Sequence, residues 1–138
     1  FFKCKNMIIC MKIWYNDNNR FKGTNFFVSE LESLPNVDLR EFQRIGLFDR
    51  SGGPDYFVVN PLNIPMNNYW NCLKECADFY PDSKFKVICS SHHNKYRFEN
   101  VGLGSLENVD LVNPADVVSE LNDIVTEAKE FSALECNN

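Results

Sequence analysis

Residues 84–99, Lys84-Phe85-Lys86-Val87-Ile88-Cys89-Ser90-Ser91-His92-His93-Asn94-Lys95-Tyr96-Arg97-Phe98-Glu99, alternate apolar and charged side chains on either side of a polar break. Successive side chains of a strand point to opposite faces, so Phe85, Val87 and Cys89 would share one face and Lys84 and Lys86 the other. Tyr96 and Phe98 against Arg97 and Glu99 repeat the alternation, and Ser90 to Asn94 supply the turn. The segment therefore reads as an antiparallel hairpin, with Lys86 and Glu99 as an outward pair of opposite sign.

Just upstream, Met66, Tyr69, Trp70, Leu73, Cys76, Ala77 and Tyr80 recur at three- and four-residue steps, which predicts an amphipathic helix from about Pro65 to Tyr80. Pro65 suits its first turn and Pro81 stops it. Before that, Tyr56-Phe57-Val58-Val59 reads as a short buried strand between the break at Gly52-Gly53-Pro54 and Asn60-Pro61. Met7 to Tyr15 is almost continuously apolar, as expected of a strand covered on both faces. Asn16 to Asn19 offer turn chemistry, and Phe21 to Val28 reads as the returning strand of another hairpin, bulged at Gly23. Residues 29–50 follow no single period. Downstream, Asn113-Pro114 opens a last helix whose apolar stripe is Val117, Leu121, Ile124, Ala128 and Phe131. Hairpins with two helices give an α+β class: one domain over residues 1–138, with an antiparallel or mixed sheet and two amphipathic helices packed on it.

The 138 residues are 44% hydrophobic and 24% charged, ordinary values for a packed globular core. Net charge is −5, and residues 101–138 alone carry eight acidic groups against one basic. Basic residues are scattered, so the clustered footprint that phosphate backbones require is missing and nucleic acid is not expected as a partner. No apolar run approaches the ~20 residues of a membrane span, so no membrane partner is expected. The chain lacks an Asn-x-Ser/Thr acceptor, which is compatible with an intracellular setting and reduced thiols.

Cys72, Cys76, Cys89, His92 and His93 fall within 22 residues in the pattern C-x3-C-x12-C-x2-H-H. Cys72, Cys76, Cys89 and His92 or His93 could supply four soft ligands to zinc, although Cys72 and Cys76 lie inside a helix and not on a tight knuckle. Cys89 beside the two histidines could alternatively serve as a thiol nucleophile, with Ser90, Ser91 or Asn94 orienting the base. Against both stand the core positions of Cys76 and Cys89 on their apolar faces. Gly52-Gly53 and Gly102-x-Gly104 lack the residues that complete a phosphate-binding loop and read as turns. No paired-carboxylate, metalloprotease or nucleophile-elbow pattern occurs. The expectation is a soluble, non-catalytic domain, without catalytic residues or cofactor, that binds a protein partner. Its contact surface is a sheet face or the acidic side of the last helix, Glu120, Asp123, Glu127 and Glu130; the zinc-stabilised module and the thiol enzyme stand as alternatives.

Overall fold

The computed structural model describes residues 10–16, 21–42, 53–61 and 67–136. Strands β1 (Met11–Tyr15), β2 (Val37–Glu41), β3 (Tyr56–Val59), β4 (Lys84–Ile88) and β5 (Val109–Val112) form one sheet in the order β2-β1-β3-β4-β5. Every neighbouring pair is parallel. Helices α1 (Thr24–Glu32), α2 (Asn67–Phe79), α3 (His92–Asn100) and α4 (Val117–Cys136) lie between and after the strands. The architecture is thus a doubly wound α/β sandwich, and the expected α+β sheet of hairpins is corrected on both counts: no described pair is antiparallel, and the described residues hold four helices where two were expected.

Both predicted returning strands are helices. At 92–100, Ser91 caps α3 by accepting the Asn94 backbone N–H at 3.2 Å, and Asn94 and Phe98 are the buried positions, one helical turn apart. Polar residues fill the rest of that turn, so the apparent alternation at Tyr96 and Phe98 had Tyr96 pointing to solvent. At 24–32, Gly23 adopts φ +90° at the N-cap, and Phe27 and Leu31 enter the core one turn apart while Phe26 stays 43% exposed. Gly23 therefore marks a helix start and not a bulge.

Parallel strands buried on both faces explain the continuous apolar character of β1 and β3. On one face Met11, Ile13, Tyr56 and Val58 meet Phe27 and Leu31 of α1 and Leu121, Ile124 and Val125 of α4. On the other, Trp14, Phe57 and Phe85 align in register across β1, β3 and β4. The Phe57 and Phe85 rings stack at 4.4 Å, and Trp14 meets Phe57 edge-on at 5.5 Å. Trp70, Leu73 and Cys76 of α2 and Phe98 of α3 cover this layer. The central strands lie under helices on both faces, and the sheet's exposed side chains are confined to its margins, as on β2.

Two polar clamps fix the connections. Asn108 donates its side-chain amide to the carbonyls of Ala77, Tyr80 and Ser83 at 3.0–3.1 Å, tying the end of α2 to the start of β5. Ser83 donates its hydroxyl to the Pro54 carbonyl, which pins the approach to β3. Gly53 lies so close to this turn that a Cβ there would stand 2.6 Å from Ser83 Oγ and Tyr80 Cδ1.

Candidate functional site

In a parallel sheet all strands end on the same edge, which gathers Asn16 after β1, Asn60-Pro61 after β3, Cys89-Ser90-Ser91 after β4 and Asn113-Pro114 after β5. Strand order runs outward in opposite directions from β1 and β3, and a crevice forms at such a switch point. A cleft of about 380 Å³ opens on this edge, lined by Phe21, Lys22, Asn60, Ile88, Ser90, Pro114 and Val117. Its polar equipment is one ammonium, one amide and one hydroxyl, on walls of Phe, Ile, Pro and Val.

Asn16, 2% exposed, extends β1 through its N–H to Val58 O at 3.0 Å and gives its side-chain amide to Phe42 O at 3.4 Å. Its Oδ1, like that of Asn113, meets no donor among the described residues. Asn113 precedes a 3-10 turn (Pro114–Asp116) without a side-chain cap, so the expected Asn cap is made by backbone alone, Asp116 N–H to Asn113 O at 2.9 Å.

The structure does not assemble the cysteine and histidine candidates. Cys72 is exposed on α2, Cys76 and Cys89 are buried in the aromatic layer, and His92 and His93 are exposed in the first turn of α3. Among the described residues no three His, Cys, Asp or Glu side chains are grouped to hold a metal ion, so Cys72, Cys76, Cys89 and His92 are not brought together as the zinc ligands their spacing suggested. The spacing misled because α2, the end of β4 and α3 place these side chains at different depths. Burial pushes the Cys89 thiol up to about 12, with Glu99 adding to and Lys95 opposing the shift. A nucleophilic cysteine needs the opposite displacement. Of the remaining cysteines, Cys10 is disulfide-bonded, against the expectation of reduced thiols.

The acidic side of α4 divides in two. Glu120 pairs with Lys86 at 3.0 Å, and Lys86 also reaches Asp110 at 2.8 Å, replacing the expected Lys86–Glu99 pair. Glu127 accepts the Tyr56 hydroxyl at 2.5 Å, and Lys129 joins Glu30 of α1 at 2.6 Å. Burial, then the Glu127 hydrogen bond, raises the Tyr56 phenol well above its ordinary value. Asp123 and Glu130 are exposed, and the same helix exposes Val118 and Leu134.

Sequence reasoning missed Lys22 and Asn60 in the cleft and Lys86 beside the helix, and singled out Ser90 only as an orienting group for a thiol. The two Asn-Pro pairs were the available signal: each closes a strand, and parallel strands carry them to one edge.

No protein-family model matches this chain, and no curated protein matches it. Among solved structures it is similar to a response regulator receiver domain protein (CheY-like) from Methanospirillum hungatei JF-1, at 14% identity and a TM-score of 0.43, over 88% of this chain and 98% of that one. No described helix is long and apolar enough to cross a membrane.

Proposed function

We propose that this chain is a non-catalytic domain that works by binding another protein through the outward surface of α4. The observation that carries the reading is the division of the acidic stripe: Glu120 and Glu127 are engaged with Lys86 and Tyr56, whereas Asp123 and Glu130 face solvent on the side of the helix that also exposes Leu134. Carboxylates flanking apolar side chains match the make-up of a protein interface with a polar rim, and the partner that suits them presents Lys or Arg around an apolar centre. The acidic excess of residues 101–138 would speed encounter with such a partner at low salt.

The separation into engaged and unengaged carboxylates sharpens the test. Reversing Asp123 and Glu130 to Lys leaves the thermal midpoint within about 2 °C, since exposed charges contribute little to stability. The same pair of changes abolishes recovery of the partner identified by affinity capture on the unaltered chain. Capture of that partner at undiminished yield by the double variant removes α4 as the contact surface.

A further inference from the structure

The sheet ends at β2, whose outer edge is unpaired among the described residues. Met11 N–H bonds Asn36 O and Phe42 N–H bonds Tyr15 O, both at 2.9 Å, so the even-numbered residues of this segment turn their backbone groups towards β1. Val37, Leu39 and Glu41 consequently direct their N–H and C=O groups to the open edge. Such an edge is a template for another strand unless its side chains forbid it.

The side chains of β2 read Val-Asp-Leu-Arg-Glu. An edge protected against its own kind carries charges of one sign, which repel when two copies meet. Here antiparallel pairing of two copies about Leu39 sets Asp38 opposite Arg40 of the second copy, and Arg40 opposite its Asp38. These lie in non-hydrogen-bonded positions, where Cα atoms are roughly 4.5 Å apart and side chains meet most closely. The outward backbone groups fall in register at the same time: Leu39 faces Leu39, and Val37 faces Glu41, giving about six hydrogen bonds between the strands. On the other face Val37 and Leu39 are half-buried and bring apolar surface to the junction.

We propose that two copies of this chain associate through β2, antiparallel and two-fold symmetric, joining their sheets into one of ten strands. Charge pattern, backbone direction and residue spacing select the same register, centred on Leu39. In the single chain Asp38 and Arg40 make only a long 3.7 Å contact with side chains 37% and 60% exposed, and Arg40 lies over the Trp14 ring at 5.1 Å, so both charges are positioned on the face where the pairing needs them. Five residues a side fall short of the roughly 800 Å² per partner of a standard interface, so the association is reversible and concentration-dependent.

Charge exchange tests it. Sedimentation velocity of the full chain, taken into the millimolar range, shows a monomer moving to dimer. Asp38→Arg and Arg40→Asp each weaken self-association about tenfold or more, because two attractive pairs become repulsive. An equimolar mixture of the two variants regains the unaltered affinity, since one strand then carries two positive and the other two negative charges. The double variant D38R/R40D also regains it, which separates pairing from any effect of the single changes on folding. A monomer at every concentration, single variants that associate as well as the parent, or a mixture no better than its components would each overturn the proposal.

Discussion

Replacing Asn108 by Ala removes the donor that serves three carbonyls at once. The amide has two hydrogens for Ala77 O at 3.1 Å and for Tyr80 O and Ser83 O at 3.0 Å, so at least one of them is shared. At about 1 kcal/mol net per hydrogen bond, two full bonds set the loss near 2 kcal/mol; the half-buried setting lets water reach some of the freed carbonyls and keeps it from rising further. For a chain of 138 residues that loss lowers the thermal midpoint by about 7 °C. Asn108→Asp is the sharper probe, because it places a carboxylate with no donor against the same three oxygens and must cost more than Ala. Equilibrium urea denaturation of the parent and both variants, with the slope checked for constancy, measures the order. An alanine variant within about 0.5 kcal/mol of the parent, or an aspartate variant no worse than alanine, refutes the clamp.

Gly53→Ala drives a methyl into Ser83 and Tyr80 and costs about 1–3 kcal/mol, whereas Gly104→Ala, whose Cβ would sit 3.5 Å from Phe98, is tolerated; paired melting curves distinguish them. At pH 8 in native protein, iodoacetamide modifies exposed Cys72 well ahead of Cys89, whose thiol is buried and pushed up to about 12; equal modification in peptide mass spectra contradicts the burial. Burial would lower the Lys86 ammonium, but Asp110 and Glu120 carry it above its ordinary value, and Tyr56 is raised by burial and Glu127. Both groups hold their protons more tightly when folded, so their contribution is full below about pH 10 and is lost as pH rises above it. Lys86→Met and Tyr56→Phe are therefore expected to lose stability less steeply than the parent above pH 10, as read from thermal midpoints against pH; identical slopes exclude the linkage.

Much of the secondary structure was legible where periodicity was strong. The α2 stripe from Tyr69 onward, the short strand at Tyr56 to Val59, and the apolar line of α4 all appear where their spacing puts them; Met66, the first residue of the α2 stripe, lies outside the described residues. The topology was not legible, because a short helix with two inward residues looks like a strand when its exposed positions include an aromatic. Phe98 and Tyr96 made that error at α3; Phe26 and Phe27 made it at α1. Turning two crossover helices into strands converted parallel connections into hairpins, and the edge cleft vanished with them. The acidic side of α4 was visible from spacing alone, but its partition was not, since Lys86 and Tyr56 reach it from strands 34 and 71 residues away in sequence from Glu120 and Glu127.

Because β1 is flanked by β2 on one side and β3 on the other, its second neighbour is synthesised some forty residues after it, in register from Ile13 opposite Tyr56. Until that later segment arrives, Trp14 lacks its ring contact with Phe57. Assembly thus depends on distant pairings closing late, a regime in which folding is slow and nascent chains aggregate readily. Production at low temperature, or with a holding chaperone, should favour recovery of the native chain more than changes at its surface.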